Sequence, residues 1–315
     1  MAAAEREPRI LVVGEALVDI VRRADGAVTE TPGGSPANVA LTLGRLGRAP
    51  QLLSAVGADR RGEEVRGWLA ASGVDLVGTE LERTSTAQAT LDAHGAATYE
   101  FAIDWRVDAA DAAPADVLHV GSIAAALDPG AGSVSEIVDG HRGRALISVD
   151  PNIRPSLVPD TVESRARIRA LLARADVVKA SDEDLAWLYP DVDALTAARG
   201  LLQGGPVLVV MTRGSAGVIA LRGEDELRVP AVPVDVVDTV GAGDTFMGAL
   251  LDGLIPHDVS GSDSRARLTA LDRSALSEIL RRSALAASIT VSRLGADPPT
   301  RAELDPVPAS VGPEN

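Results

Sequence analysis

Short apolar runs recur along this chain, each closing on a glycine or a polar residue. Arg9-Ile10-Leu11-Val12-Val13-Gly14 is the first, and Val117 to Val120, Ala145 to Val149, Ala175 to Val178 and Val207 to Met211 follow. Runs this short, apolar throughout, read as strands buried on both faces. Helical spacing fills residues 37–46, 61–72, 161–173 and 182–188 between several of them. Strand–helix alternation predicts an α/β fold, a mostly parallel sheet covered by helices on both faces.

Two stretches break the rhythm. Residues 15–31 hold Leu17-Val18-Asp19-Ile20-Val21 and a turn at Asp25-Gly26. Residues 87–107 hold Ala89-Thr90-Leu91-Asp92, a turn at His94-Gly95, and Thr98-Tyr99-Glu100-Phe101. Both read as hairpins that leave the main sheet and pair as a small β lid. The lid carries Tyr99, Phe101 and Trp105 in a chain with 2% aromatic residues, which makes Phe101 a candidate substrate contact. An open hairpin sheet leaves edges and an apolar face uncovered, so a homodimer through the lid is expected. The main body spans 9–300, between a disordered tail at 1–8 and a Pro-rich, polar tail at 301–315.

Composition removes several functions. The net charge is −15, which repels a nucleic-acid backbone. No cysteine is present, so disulfides, Cys-ligated zinc and thiol catalysis are excluded. No apolar run approaches a membrane span, and Met1 to Arg9 is no signal peptide, so a cytoplasmic location is expected. Histidines 94, 119, 141 and 257 lack metal-ligand spacing, and His119 reads as a satisfied core residue. Lys179 is the only lysine, and Asn38, Asn152 and Asn315 are the only asparagines.

The segment with chemistry is Asp238-Thr239-Val240-Gly241-Ala242-Gly243-Asp244. It stands between Val234 to Val237, which reads as a strand, and a helical stretch from Thr245 to Leu254. Unpaired amides at a helix start bind anions, and glycines allow close approach. Asp244 fits two roles there: an N-cap on a glycine turn, or a base taking a proton from a substrate hydroxyl while the amides hold a phosphoryl group. No P-loop and no protein-kinase motif set is present.

Five further clusters sit at turns or strand ends. In Gly33-Gly34-Ser35-Pro36-Ala37-Asn38 the glycines permit close approach, Asn38 offers donor and acceptor together, and Ser35 reads as the helix cap with Pro36 in the first turn. Asp19 interrupts an apolar strand, as a hydroxyl ligand or a solvated lid residue. Asp150-Pro151-Asn152-Ile153-Arg154-Pro155 follows a strand, where Arg154 can neutralise phosphate charge or end a solvated turn. Lys179-Ala180-Ser181-Asp182-Glu183-Asp184 can bring an ammonium to phosphates and carboxylates to Mg²⁺ through water, or simply cap a helix at Ser181. Thr212-Arg213-Gly214-Ser215-Ala216-Gly217 is a glycine turn that can line a nucleotide pocket.

Taken together, Gly-Gly-x-Pro-x-Asn near the start and Asp-Thr-x-Gly-Ala-Gly-Asp late in the chain resemble the two signatures of the ribokinase-like (PfkB) carbohydrate kinases, over roughly residues 9 to 300. The resemblance implies a three-layer α/β/α sandwich with a β lid, ATP and Mg²⁺ as co-reactants, and K⁺ as a possible activator. It implies Asp244 as base, Gly241, Ala242 and Gly243 as the anion hole, and Asp19, Gly33, Gly34, Asn38 and Arg154 facing sugar or phosphate. Lys179, Ser181, Thr212, Gly214, Gly217 and Gly243 would lie on the nucleotide side. Asp184 would reach Mg²⁺ through water, while Asp238, Val240, Arg293 and Gly295 would hold the monovalent cation. One departure is Ser181 and Asp184 in place of an N-x-x-E motif. The Gly14-to-Asp19, Asp150-to-Pro155 and Lys179-to-Glu183 segments look most like fructokinases. A 2-keto-3-deoxygluconate kinase, another sugar or nucleoside kinase, and a non-catalytic sugar or nucleotide sensor are the alternatives.

Overall fold

The computed structural model describes residues 6–92 and 97–305. The expected turn at His94-Gly95, residues 1–5 of the N-terminal tail and everything beyond 305 lie outside the described residues. In chain order the strands are β1 (Ile10–Val13), β2 (Leu17–Arg22), β3 (Val28–Gly33), β4 (Gln51–Gly57), β5 (Asp75–Leu81), β6 (Thr86–Leu91), β7 (Ala97–Ala102), β8 (Val117–Gly121), β9 (Leu146–Asp150), β10 (Val177–Ser181), β11 (Leu208–Thr212), β12 (Val218–Arg222) and β13 (Asp225–Val229). The helices are α1 (Ser35–Arg45), α2 (Arg60–Ala70), α3 (Gly130–His141), α4 (Val162–Leu172), α5 (Asp182–Leu188), α6 (Ala194–Gln203), α7 (Ala242–Leu254), α8 (Ser264–Ala270), α9 (Arg273–Val291) and α10 (Arg301–Leu304).

Among the described residues nine strands form one sheet, in the order β13-β12-β11-β10-β9-β8-β1-β4-β5. It is parallel from β11 to β5, and only β12 and β13 turn back antiparallel at one edge. The apolar runs lack polar alternation because both faces are covered. In β1, Ile10 and Val12 pack into a core shared with α1, α2, α7 and α9. Leu11 and Val13 point the other way, into a core shared with α3, α4, α5 and α6. Each fully buried Val, Leu or Ile contributes about 1.5–3 kcal/mol, so these two cores dominate the stability of the sheet.

The lid is a separate sheet ordered β3-β2-β6-β7. The hairpins β2–β3 and β6–β7 are antiparallel and meet through a parallel β2–β6 pairing. Its strands run over 17–33 and 86–102, slightly displaced from the expected 15–31 and 87–107.

Three expectations about the chain need correction. Val234 to Val237 is not a strand: it joins neither sheet among the described residues, and Val236 and Val237 are 65% and 55% exposed. Amides of Val237 and Asp238 instead donate to the Val291 carbonyl at the end of α9. The expected tail from 301 begins as α10, because Arg301 donates to the Leu46 carbonyl and to Asp252 while Leu304 is buried. At the other end, Arg6 of the expected disordered tail is paired with Asp116 at 2.8 Å. No helix among the described residues is long and apolar enough to cross a membrane.

Candidate active site

The carboxyl ends of β1, β8, β9 and β10 lie side by side, the place where parallel sheets hold ligands. The starts of α1 and α7 meet there. Gly241 is the N-cap of α7 at φ 74°, and a Cβ on it would stand 2.5 Å from the Ala296 Cβ. Only glycine fits both demands. The first full helical bond runs from the Thr245 amide to the Gly241 carbonyl at 2.8 Å. The amides of Ala242, Gly243 and Asp244 therefore lead the helix with no intrahelical i−4 acceptor, and the helix dipole adds positive potential there.

Asp244 stands in this first turn and is buried. Its Oδ1 accepts from the Ser35 hydroxyl at 2.6 Å, and its Oδ2 from Asn38 Nδ2 at 2.8 Å. Ser35 and Asn38 are three residues apart on α1, hence on one face of that helix. The two helices come this close because a Cβ on Gly248 would collide with Thr42 at 2.7 Å, and none is there. Ser35 is not the cap expected from the sequence. Gly34, at φ 109°, holds that position with no side-chain cap, so the Ser35 hydroxyl is free to hold Asp244. The Asn38 amide nitrogen is spent on Asp244, while its buried Oδ1 has no partner.

Lys179 lies beneath the same turn. Its Nζ is 3.2 Å from where a Cβ on Gly243 would be, and it donates to Asp150 at 2.6 Å. Both side chains are buried. Burial opposes the Lys179 charge, but Asp150, with Asp184 and Asp244 further off, overcomes it and raises its pKa. Burial pushes the Asp150 carboxyl up to about 6 despite Lys179. The two stay paired, and Asp150 Oδ1 remains without a partner. His119 is not the satisfied core residue expected: Nδ1 meets the Ser148 hydroxyl at 3.0 Å, but Nε2 has no partner.

The lid contributes Asp19. A Cβ on Gly33 would stand 2.2 Å from Asp19 Oδ2, so Gly33 is what lets the carboxylate lie along the β3 backbone. Asp19 is opposite Ala87, and Ala87 is opposite Phe101, which puts Asp19 and the half-buried Phe101 on one lid face. Burial raises the Asp19 pKa to about 6, with Arg154 pulling it down and Asp244 pushing it up. Arg154 is exposed, yet close enough to act on Asp19 electrostatically. Gly34 packs against β1's exit: its Cβ would stand 2.5 Å from the Glu15 carbonyl. Glu15 itself is a buried acid that the motif reading passed over. The visible signal was a carboxylate directly after Gly14, flanked by apolar Val13 and Ala16.

The remaining candidates divide. Asp184, the expected Mg²⁺ contact through water, is held in the cap of α5. Its Oδ2 accepts from the Ser181 amide and hydroxyl in a capping box, and its Oδ1 accepts from the Ile153 amide. Asp184 thereby ties the turn before Arg154 to the end of β10. Thr212 pairs in register with Ser181 at the neighbouring strand end, while Gly214 and Gly217 form the turn into β12. Asp238 gathers the expected cation residues: Oδ1 accepts from Val240 and Oδ2 from Gly295. The Arg293 side chain is turned away into ion pairs with Asp297 and Glu303. No three His, Asp or Glu groups cluster to hold a metal ion among the described residues.

This arrangement has known counterparts. A family model described as pfkB family carbohydrate kinase matches residues 7–303. The fructokinase of Klebsiella pneumoniae is 37% identical over 80% of this chain and 86% of that protein. That of Rhizobium leguminosarum bv. trifolii is 34% identical over 85% of each. Among solved structures, a Xylella fastidiosa fructokinase with bound ATP superposes with a TM-score of 0.86 at 28% identity, covering 95% of this chain and 97% of that one. A Vibrio cholerae fructokinase in a fructose, ADP and calcium ion bound form gives 0.79 at 26%, covering 95% and 98%.

Proposed function

The chain belongs to the pfkB family of carbohydrate kinases, and from that premise we propose that it transfers the γ-phosphoryl group of ATP to a primary hydroxyl of fructose. The observation that carries this reading is Asp244, a carboxylate fixed by Ser35 and Asn38 at the mouth of the α7 amides. Mere phosphate binding has no use for a negative charge there. Transfer to an alcohol does: Asp244 takes the hydroxyl proton, the sugar oxygen bonds to phosphorus, and the bond from phosphorus to the ADP oxygen breaks. The amides of Gly241, Ala242 and Gly243, the Lys179 ammonium and Arg154 offset the charge on the transferring group. Asp19 and Asn38 Oδ1 face the sugar hydroxyls, and Thr212, Gly214 and Gly217 border the nucleotide.

Mg²⁺ is bound in this reading through phosphate oxygens and water, and Asp184, held in the α5 cap, reaches it through one of those waters. A potassium ion fits between the Val240 and Gly295 loops that Asp238 draws together, placing positive charge behind the anion hole. The nearest rival substrate, a ketodeoxy sugar acid, needs a cation on the lid. Arg106, the basic residue near β7, is already paired bidentately with Asp104. This favours a neutral sugar. The same proposal includes a homodimer through the lid, where Tyr99 is 61% exposed and stacked on Phe101. A monomeric mass by light scattering refutes the dimer.

The deciding experiment is ADP formation with fructose, ketodeoxygluconate, ribose and adenosine side by side. Fructose should give the highest kcat/KM, and preference for another acceptor overturns the substrate assignment. Sugar binding in calorimetry with no ADP formed would make the chain a sensor instead.

A further inference from the structure

Glu15 is a buried acid at the site that the mechanism above leaves unused. It lies two residues past the end of β1, is 5% exposed, and its Oε2 has no hydrogen-bond partner. The Ser122 hydroxyl, on a residue held at φ 55° just past β8, faces the same carboxyl. The charged groups that act on it are Arg154, from the loop after β9, and Asp244, from α7. Arg154 has a complementary defect. It is exposed, with no hydrogen bond or ion pair to its guanidinium among the described residues, yet its charge acts on both Glu15 and Asp19. A buried acceptor without a donor thus lies within electrostatic reach of a guanidinium without an acceptor.

We propose that Glu15 is a positioning residue for phosphoryl transfer, whose unpartnered Oε2 receives Arg154 and fixes its guanidinium beside Asp244. The inference rests on the kinase reading above. A guanidinium left free in solvent contributes little to a transition state, because its ordering must then be supplied during the reaction. Glu15 does this best as a neutral acid. An added carboxylate charge there would repel the incoming phosphates, and a protonated carboxyl still accepts a hydrogen bond through its other oxygen. Burial pushes Glu15 up to about 8, helped by Asp244 and opposed by Ser122 and Arg154. It therefore keeps its proton at neutral pH and loses it above that value, adding a negative charge next to Asp244.

The test is a kinetic cycle of wild type, E15A, R154A and E15A/R154A with fructose and MgATP, plus E15Q across about pH 6 to 9.5. In the wild-type background E15A should lower kcat by about 10- to 100-fold with sugar KM within about threefold. In the R154A background the same change should cost less than about twofold, since the residue it positions is gone. E15Q, which keeps an acceptor but cannot ionise, should recover at least about a third of kcat near pH 7 and hold it through the alkaline limb that the wild type loses near pH 8. Additive losses in the cycle overturn the proposal, because they mean Glu15 acts independently of Arg154. A loss confined to sugar KM overturns it in favour of direct sugar binding. An E15Q as impaired as E15A, with the wild-type alkaline limb, overturns it as well. Should the wild type phosphorylate no acceptor, the kinase reading itself falls; an active wild type with an additive cycle removes only the role of Glu15.

Discussion

Replacing Asp244 by Asn separates catalysis from folding at one atom pair. The Asp244 oxygens accept at 2.6 Å from Ser35 and 2.8 Å from Asn38. In D244N one acceptor becomes an NH₂ donor that meets the Asn38 NH₂. Asn38 can rotate its amide, because its Oδ1 has no partner to lose. Ser35 then donates to the new carbonyl, the new NH₂ donates to Asn38 Oδ1, and the bond count is unchanged. What is lost is the charged character of two hydrogen bonds, about 0.5–1.5 kcal/mol each, partly offset by removing a buried charge. The fold should therefore lose no more than about 2 kcal/mol in urea denaturation. Turnover should fall far more. Loss of a general base costs about 10²–10⁴-fold, equivalent to about 3–5 kcal/mol of barrier. The assay is coupled ADP formation with saturating fructose beside a urea melt of the same preparation. Turnover within about tenfold of wild type refutes Asp244 as the base. A stability loss beyond about 4 kcal/mol refutes the amide-rotation argument instead.

Three other outcomes follow from the same geometry. K179M leaves Asp150 buried without its cation, a change that costs about 3–5 kcal/mol near pH 8. Since burial already raises Asp150 to about 6, and losing Lys179 raises it further, the penalty is absent below the unfolded carboxylate pKa of about 3.9 and grows as pH rises; a pH-independent melt would contradict this. G34A forces a side chain into φ 109° and to 2.5 Å from the Glu15 carbonyl, so it should lose at least about 2 kcal/mol and most activity, and a wild-type melting curve would show that the backbone can yield there. Exchanging potassium for a bulky organic cation should lower kcat several-fold in the wild type and have little further effect in D238A; equal sensitivity in both places the cation elsewhere.

Much of the fold was legible in the chain because its causes are local. A run such as Ile10 to Val13 can only be a strand covered on both sides, and both cores indeed draw on it alternately. The hairpins at β2–β3 and β6–β7 announced themselves by period and turn residues. Where local pattern lacked a spatial partner it misled: Val234 to Val237 has strand chemistry, yet it joins neither sheet among the described residues. Asp184 shows the reverse case. The Ser181-x-x-Asp184 spacing is a capping box, and the fold uses it as one while Asp184 Oδ1 also accepts from the Ile153 amide.

The site divides along the same line. Gly241, Gly243 and Asp244 sit within one turn, so the sequence alone determined a glycine-led helix start with a carboxylate in it. Only the tertiary structure brought Ser35 and Asn38 to Asp244, from 209 and 206 residues away in the chain, and so fixed its carboxylate where a base would be needed. Nor could spacing reveal that Lys179 would be buried against Asp150, or that Glu15 would keep an oxygen without a donor. Those are consequences of burial: charge and hydrogen-bond demand become costly only once water is excluded, and which groups lose their water is a property of the packed sheet and helices, not of the order of residues.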